Sequence, residues 1–289
     1  MARDGNSDFI LNYIGEGESL DYLKHLCFLR VREENTQSCK IWNLHNTIQN
    51  TSWGNILFVE LNSLLKRYIP SGGYETFPWI RQKVYLNDDA YRNRKARING
   101  KYGRKTKKYN YRFKILRDTS AAVRFYQELY APYINFRFGD AAHLRRLEEM
   151  RRVVRKGFLL QVFDGGGWVA GAACRRRKEE VTLFALGLLS DFNYHLRRGA
   201  LSSVYYFLFK WAEENDIHAI DLLRSKPNVN DGVYEYKRLW GATAEKDIWP
   251  HTSMKIFIQQ RVDISPMLKG LLVWTGNGFL ELDKAVKRG

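Results

Sequence analysis

The sequence predicts an α/β protein in which a mixed sheet is flanked by helices and the first half of the fold is degenerate or partial. From residue 118 onwards, apolar residues alternate between the helical period and the strand period. Strands of antiparallel type precede a long helix and a further strand, an order that needs a crossover within one sheet. We therefore expect a mixed α/β region (1–117), a domain with the complete α/β pattern (118–260) and a C-terminal tail (261–289).

The first region gives the weaker signal. Residues 56–61 form a short apolar run suited to a buried strand, residues 63–68 suit a short helix, and residues 79–86 alternate enough for another strand. A turn is expected at 70–73 because it contains proline and glycine. The basic segment, residues 92–117, is expected to be the passage between the two halves of the chain.

The second region has clearer boundaries. Asp118 or Thr119 is expected to cap a helix that ends before Pro132, because the residue before a proline avoids the helical conformation. The other elements are expected, in chain order, as a helix at 141–156, a hairpin of strands 158–163 and 168–174, a strand at 181–187, a loop at 190–199, a helix at 200–215, a strand at 217–223, a helix at 231–240 closed by Gly241, and a strand at 254–259.

Positive charge dominates the composition. The formal net charge is +16, and the basic segment 92–117 carries 12 of the 47 Lys and Arg residues and no acid. Such a segment attracts phosphates on nucleotides, nucleic acid or anionic lipid head groups. Tyr102, Tyr109 and Tyr111 interleave with these cations, as aromatic residues do in single-strand binders. The segment therefore predicts contact with an acidic substrate or RNA, and the alternative is a solvated face.

Cysteine spacing and missing motifs narrow the class of protein. Cys27, Cys39 and Cys174 are an odd number and form no C-x-x-C pair, which argues against a disulfide framework and a zinc site. No signal-type segment and no run apolar enough for a transmembrane segment is found, so we expect a cytoplasmic location. P-loop, H-E-x-x-H and G-x-S-x-G motifs are missing, so we expect no metal and no permanently bound cofactor.

The start of the helix at 200–215 is the first candidate site. A helix amino terminus presents unpaired N–H groups and the positive end of the helix dipole, which suit a phosphate. The candidate cofactor-binding residues at this position are Arg197, Arg198, Gly199 and Ala200. The alternative is that Gly199 is a turn residue and both arginines are solvated.

The loop after the strand at 217–223 is the second candidate site. Ligands of open α/β folds bind outside the carboxyl ends of strands. This position makes Arg224, Ser225 and Asn228 candidate substrate-binding residues, and the alternative is an ordinary capped loop.

Three further residues are candidates for the chemistry itself. Tyr234 and Lys237 share one face of the next helix, where they would polarise a carbonyl or hold a leaving group. The alternative is that Tyr234 packs and Lys237 is solvated. His195, in the loop that also holds Asp191, is a candidate proton acceptor, because an unperturbed histidine has a pKa near ~6.5. A solvated loop histidine is the alternative.

Several motifs together resemble one protein family. These motifs are Gly199-Ala200, Tyr205-Tyr206, Ile220-Asp221-Leu222 and Tyr236-Lys237-Arg238-Leu239-Trp240-Gly241, with Phe125-Tyr126, Leu129-Tyr130, Pro132-Tyr133 and Arg137-Phe138-Gly139 upstream. Over about residues 118–258 the chain resembles the GNAT acyltransferase superfamily, in its FemAB-like branch. A weaker resemblance runs from Ile56 through Pro78-Trp79-Ile80-Arg81 to the basic segment.

The resemblance implies a GNAT-like fold and an N-acyltransferase that uses direct attack by an amine, without a covalent enzyme intermediate. It implies acyl-CoA, or another activated carrier, as the donor. The acceptor would be a small-molecule, lipid-linked or nucleotide-linked amine of a sugar, a polysaccharide precursor or a cell-envelope intermediate.

The resemblance also implies roles for individual residues. Residues 197–200 would face the donor pyrophosphate, Lys237 would lie at the acyl centre and Arg137 would contact the substrate. One departure concerns the acetyl-CoA loop of the family, which has Gln or Arg, two further residues, Gly, one further residue, and then Gly or Ala. Leu196, Gly199 and Leu201 occupy those positions in this chain.

Two other functions remain open. One is tRNA-dependent aminoacyl transfer of the Fem type. The other is a non-catalytic basic module that holds RNA or an anionic membrane surface, to which apolar residues of the segment 264–274 would contribute. The alternative for that segment is docking on the core.

Overall fold

The computed structural model describes residues 2–4, 7–15, 19–27, 40–50, 55–247, 252–258 and 268–287. The chain divides into two compact units. The first comprises Met1–Arg81, Arg224–Tyr236 and Ala244–Gly289, and the second comprises Gln82–Leu223 and Lys237–Thr243. This division does not follow the expected boundary at 117/118, since the whole basic segment lies in the second unit. Cys39, the expected boundary at 260/261, and residues 259 and 264–267 of the predicted last strand and tail lie outside the described residues.

Strands and helices alternate along most of the described chain. The strands are β1 (Ala2–Asp4), β2 (Ser7–Phe9), β3 (Leu11–Ile14), β4 (Ile56–Asn62), β5 (Tyr74–Thr76), β6 (Ile80–Tyr85), β7 (Arg112–Leu116), β8 (Phe158–Asp164), β9 (Gly167–Arg177), β10 (Glu180–Leu188), β11 (Ala219–Ser225), β12 (Thr243–Glu245), β13 (Thr252–Ile258), β14 (Leu272–Trp274) and β15 (Phe279–Glu281). The α-helices are α1 (Leu20–Cys27), α2 (Leu44–Asn50), α3 (Asp89–Ile98), α4 (Arg104–Lys108), α5 (Thr119–Arg124), α6 (Ala131–Phe138), α7 (Leu147–Lys156), α8 (Phe192–Arg198), α9 (Ala200–Glu214), α10 (Gly232–Leu239) and α11 (Leu282–Val286).

Shorter helical turns join some of these elements. Residues Ile41–Asn43, Ser63–Tyr68 and Gly139–Ala141 form 3₁₀ turns, and Asn99–Gly103 and Phe125–Tyr130 form π-helical turns. The helix expected at 63–68 is therefore of the 3₁₀ type.

The first unit is built on a six-stranded mixed sheet with the order β15-β14-β5-β13-β4-β3. Strand β13 pairs with β4 in antiparallel register from Thr252↔Asn62 to Ile258↔Ile56, and β3 pairs with β4 in parallel. The segment 268–287 adds two strands and a helix, and its Leu271, Val273 and Leu282 are buried with Phe58 in one core cluster. The described part of the expected tail thus docks on the core.

The second unit contains most of a seven-stranded mixed sheet with the order β12-β6-β11-β10-β9-β8-β7. Strand β9 is antiparallel to both β8 and β10, whereas β10 and β11 are parallel. Helix α9 makes the crossover between the two parallel strands, and ten of its residues are buried because its apolar face covers the sheet. The expected mixed sheet flanked by helices is confirmed, as are the hairpin, the long helix and the strands around it.

Two expected boundaries in the second unit are wrong for reasons of local geometry. The helix from Thr119 does not end before Pro132, since a π-helical turn precedes α6 and accommodates a proline at the start of that helix. The helix expected from residue 141 begins only at Leu147. The backbone N–H of Arg145 donates outside any helix, to the Tyr130 hydroxyl at 3.0 Å.

The expected loop at 190–199 is wrong, because most of it is helix α8. The aromatic ring of Phe192 packs against Phe136 and Tyr133 of α6, with ring centroids 4.6 and 5.9 Å apart. A seven-residue helix held by such contacts shows no periodicity of its own. The basic segment is likewise more regular than expected. It forms most of α3, a π-helical turn, α4 and β7, with Tyr102 on its buried side.

Candidate active site

The parallel strands β10 and β11 diverge at their carboxyl ends. Their pairing runs only from Glu180↔Ala219 to Thr182↔Asp221. Strand β10 nevertheless continues to Leu188 and β11 to Ser225. No pairing register joins them beyond Asp221 in this fully described stretch, so the last residues of the two strands are not paired with each other. Ligands of α/β folds bind at this end of parallel strands.

Lys237 lies beside the carboxyl end of β11. Its side chain is buried, with a relative exposure of 6% for the residue, and its Nζ donates to the Leu223 carbonyl at 3.4 Å. Leu223 has a left-handed backbone with φ +64° and donates its own N–H to the Asp221 carboxylate at 2.8 Å. Such a conformation costs a non-glycine residue about 1–2 kcal/mol. Lys237 is therefore not a solvated lysine, and it donates to the carbonyl of a residue whose backbone conformation is strained.

Trp240 and Gly241 have structural roles after Lys237. The Trp240 ring is fully buried and stacks on Tyr102 and Tyr205, at centroid distances of 4.4 and 5.2 Å. Gly241 has φ +92°, and a Cβ there would lie 2.9 Å from the Tyr91 Cα. These contacts fully account for both residues. They also show that Tyr102 is buried in a stack and does not offer an open face to a base, contrary to the stacking-platform hypothesis.

Tyr234 lies in the first unit, among apolar residues. It is buried in a cluster with Phe77, Ile80 and Leu272. Its N–H donates to the Asp231 carboxylate at 2.8 Å, which is the capping bond expected at the start of α10. The packing alternative therefore describes its environment.

Gly199 separates two helices. It ends α8 and begins α9 with φ +80°, and its N–H donates to the Leu196 carbonyl at 3.0 Å. A Cβ at this position would lie 2.7 Å from Cδ of Lys105, so the lysine stem packs directly over the glycine. Among the predicted neighbours, Ala200 is fully buried and Arg197 is exposed. The residue missed by sequence reasoning is Lys105, because nothing in its spacing indicates a contact almost a hundred positions away.

Arg198 forms the centre of an aromatic cluster. Its guanidinium lies 4.6 Å from the centroid of Tyr109 and 4.8 Å from that of Tyr194, and it donates to the Tyr194 hydroxyl. Tyr111 is also adjacent. Burial raises the pKa of the Tyr111 phenol, against the opposing influence of Arg198. The structure thus brings a predicted cofactor-binding arginine together with two tyrosines of the basic segment.

His195 is buried, not solvated. Its residue exposure is 7%, and its Nδ1 has no hydrogen-bond partner among the described residues. Burial lowers the pKa of His195, while Asp164 and Asp191 act in the opposite direction. The neutral imidazole is therefore favoured near neutral pH, which is the form that accepts a proton.

The predicted substrate-binding residues occupy different settings. In the first unit, Arg224 forms an ion pair with Asp247, which also pairs with Arg81 at 3.4 Å. Ser225 is buried. Asn228 holds its own loop, since its amide donates to the Lys269 carbonyl at 3.3 Å and accepts from a nearby N–H.

Arg137 belongs to the second unit and is exposed on α6. Its guanidinium donates to the Tyr133 hydroxyl at 3.3 Å and lies over the Phe138 ring. The ring of Tyr133 in turn packs against Phe192 of α8. Arg137 therefore lies on the helix that supports α8.

Topology places several of these groups at one edge of the second unit. Helix α9 connects parallel strands, so its amino terminus lies at the carboxyl end of β10, as does all of α8. Lys237 contacts the carboxyl end of β11, at the same edge. We call this edge, with Lys237, Leu223, His195, Arg198 and Lys105, the carboxyl edge. It combines a buried amine, a neutral imidazole and two cations. Among the described residues no cluster of metal-ligating side chains is found.

The comparisons with known proteins concern the fold. No protein-family model matches the sequence, and no curated protein matches it. Among solved structures, the chain is similar to FemX, with a TM-score of 0.47 and 11% identity over 88% of this chain and 83% of that chain. It is also similar to L-PGS from Bacillus licheniformis, with a TM-score of 0.41 and 11% identity over 78% of this chain and 73% of that chain.

A third similar structure is a putative acetyltransferase of the GNAT family from Novosphingobium aromaticivorans, with a TM-score of 0.34 and 11% identity over 71% of this chain and 75% of that chain. None of the helices in the described ranges is long and apolar enough to cross a membrane. All three similarities lie at 11% identity and at TM-scores below 0.5, and the resemblance to the GNAT superfamily stays a prediction from the sequence motifs.

Proposed function

We propose that this chain is an N-acyltransferase whose reaction takes place at the carboxyl edge of the second unit. The proposal rests on Lys237, a buried amine at the end of a strand that diverges from its parallel neighbour. At 3.4 Å its bond to the Leu223 carbonyl is long. The oxyanion that develops on the acyl carbonyl oxygen of the donor is a stronger acceptor than the neutral carbonyl of Leu223. Lys237 would therefore bond this oxyanion in the transition state more strongly than it bonds Leu223.

In the proposed reaction, the nitrogen of the acceptor amine attacks the acyl carbonyl carbon directly. The carbon–nitrogen bond forms, the carbonyl oxygen becomes an oxyanion beside Lys237, and the bond to the carrier breaks when the oxyanion collapses. The carrier leaves with the electron pair of that bond. His195 accepts the proton that the amine loses, because burial keeps its imidazole neutral near neutral pH.

The donor is proposed to be acyl-CoA or another activated carrier, with aminoacyl-tRNA as the alternative. Arg197, Arg198 and the ammonium of Lys105 would contact its phosphates, because all three belong to the segment around Gly199 or pack on it. The acceptor is proposed to be an amine of a sugar, a polysaccharide precursor or a cell-envelope intermediate, reached in the cytoplasm.

A decisive test replaces Lys237 by methionine, which keeps the length of the buried side chain without the amine. Acyl-CoA and charged tRNA are first screened for an increase in melting temperature. The donor that binds is then incubated with a panel of amino sugars, and the product is measured by mass spectrometry. We expect Lys237→Met to lose about 10²–10³-fold in rate, as expected for loss of one oxyanion donor. Lys210→Met, on the exposed side of α9, is the matched control. Normal turnover in Lys237→Met would remove Lys237 from the mechanism.

A second candidate function is a basic module that binds RNA or an anionic lipid surface without catalysis. It is supported by the nine Lys and Arg residues of α3, α4 and the π-helical turn between them, because most of these residues are exposed. This function predicts salt-dependent binding that Lys237→Met leaves unchanged.

A further inference from the structure

Asp221 is a buried carboxylate that bonds the backbone two residues further along β11. Its relative exposure is 0%, and its Oδ1 accepts the N–H of Leu223 at 2.8 Å. A bond of this span forms a local turn and competes with regular strand pairing. Strand β11 separates from β10 immediately after Asp221, where the paired register ends.

Leu223 has a conformation that its own side chain does not favour. A φ of +64° is uncommon for any residue with a Cβ, and leucine has no polar group that would offset the cost. The conformation persists because the surroundings hold the residue. Its N–H is bonded by Asp221 and its carbonyl accepts from Lys237.

We propose that Asp221 is a positioning residue for Lys237, acting through the backbone of Leu223. Two hydrogen bonds connect them in series. The N–H of Leu223 donates to Asp221, and the carbonyl of Leu223 accepts from Lys237. The turn held by Asp221 directs the carbonyl towards the amine and so fixes where the amine lies at the carboxyl edge. This inference rests on the proposed function only in giving Lys237 a role in acyl transfer.

Four variants separate positioning from a merely structural role. Asp221→Ala removes the acceptor, and Asp221→Asn keeps an uncharged oxygen in the same place. Leu223→Gly removes the cost of the positive φ. The double variant Asp221→Ala with Leu223→Gly retains the backbone conformation more readily than Asp221→Ala alone. Thermal melting of each variant monitors the fold.

The reactivity of Lys237 is the readout. Acetic anhydride modifies lysine amines in the intact chain, and mass spectrometry gives the rate at each lysine, with exposed Lys210 as the internal reference. Loss of the Leu223 carbonyl as acceptor removes a hydrogen bond that holds the amine in place, so we expect the rate at Lys237 to rise about two- to tenfold in Asp221→Ala. Asp221→Asn should remain within about twofold of the wild type. The double variant should recover most of the wild-type rate.

Two outcomes would overturn the proposal. One is an unchanged Lys237 rate in Asp221→Ala together with a lower melting temperature, which would make the bond purely structural. The other is an Asn variant that reacts like the Ala variant, which would mean that the charge acts and not the backbone turn. Should Asp221→Ala fail to fold, Asp221→Leu takes its place, because its side chain fills a similar buried space and offers no acceptor to the Leu223 N–H. A wild-type rate in that variant would equally refute positioning. Labelling needs no turnover, so its result is independent of the loss of transfer expected for Lys237→Met.

Discussion

Tyr234 and Lys237 lie three positions apart on α10 but have different environments. Tyr234 packs among apolar residues of the first unit, whereas Lys237 bonds a strained carbonyl in the second. Tyr234→Phe keeps the buried ring, so we expect transfer within about threefold of the wild type and most of the stability. Tyr234→Ala should lower the free energy of unfolding by about 3–5 kcal/mol. The transfer assay measures the change in rate, and denaturant unfolding measures the change in the free energy of unfolding. A large loss of transfer rate in a stable Tyr234→Phe protein would show that the Tyr234 hydroxyl takes part in the reaction.

His195 should make stability depend on pH. Burial lowers the pKa of the folded-state imidazole from 6.5, so below that pH the unfolded chain binds more protons than the folded one. The loss of folding stability caused by His195 is absent above about pH 6.5 and grows as the pH falls below that value. We therefore expect His195→Gln to reduce the drop in melting temperature between pH 7.5 and 5.5. His143→Gln, at an exposed position, is the control. Equal drops in wild type and His195→Gln would contradict the assigned burial effect.

The individual site residues were only partly predictable. Family motifs and positions near strand and helix ends predict Lys237, His195 and Arg198, and all three lie at the carboxyl edge, while their roles stay predictions. Ala200 proves fully buried, and Lys105 was not recognised as a neighbour of Gly199. Burial and long-range contact depend on how elements pack, which residue type and local spacing do not encode.

At the scale of elements, apolar periodicity predicts the helices and strands that are long enough to show a complete helical or alternating pattern. The hairpin β8–β9 and helix α9 have enough alternating or helical positions to be recognised. Helix α8 is too short for this and depends on aromatic packing against α6. The continuation of helix past Pro132 depends on a π-helical turn, which residue propensities do not predict.

The end of α10 gives a prediction about backbone geometry. Gly241→Ala places a Cβ 2.9 Å from the Tyr91 Cα in addition to the cost of φ +92°. We expect a loss of about 2–4 kcal/mol in the free energy of unfolding. Gly276→Ala is the matched control, because Gly276 has φ +93° but nothing within 4 Å of its Cβ position. It should lose only about 1–2 kcal/mol. Equal losses would show that contact with Tyr91 is unimportant.

At the scale of the whole molecule, the fold class was predictable but the division of the chain was not. Strand β13 joins β4 and β5 across almost two hundred positions, and residues 268–287 complete the same sheet. Pairing between distant strands leaves no local sequence signal, since each strand shows only which of its faces is buried. The sequence therefore indicated a separate tail where the structure has part of a sheet.

The net charge gives a prediction that separates a local binding surface from general attraction. We expect the fourfold variant Lys101→Gln, Arg104→Gln, Lys107→Gln and Lys108→Gln to weaken binding of a fluorescent single-stranded oligonucleotide, because all four positions are exposed in one stretch. If each contacts a phosphate, the slope of log affinity against log salt should fall by up to about 3. Lys105 is left unchanged, because it packs on Gly199.

The matched control neutralises four cations of α7, Arg151, Arg152, Arg155 and Lys156, and so changes the net charge by the same amount. Long-range attraction depends on total charge and is screened by salt, so it would weaken equally in both variants. If the binding surface lies on α4 and the turn before it, the affinity for the oligonucleotide would fall only in the variant of the basic segment. Fluorescence anisotropy from 50 to 300 mM salt distinguishes these outcomes. Equal weakening would assign the basic segment to solubility and general attraction, whereas a selective loss would place phosphate contacts on the helix that packs against the start of α9.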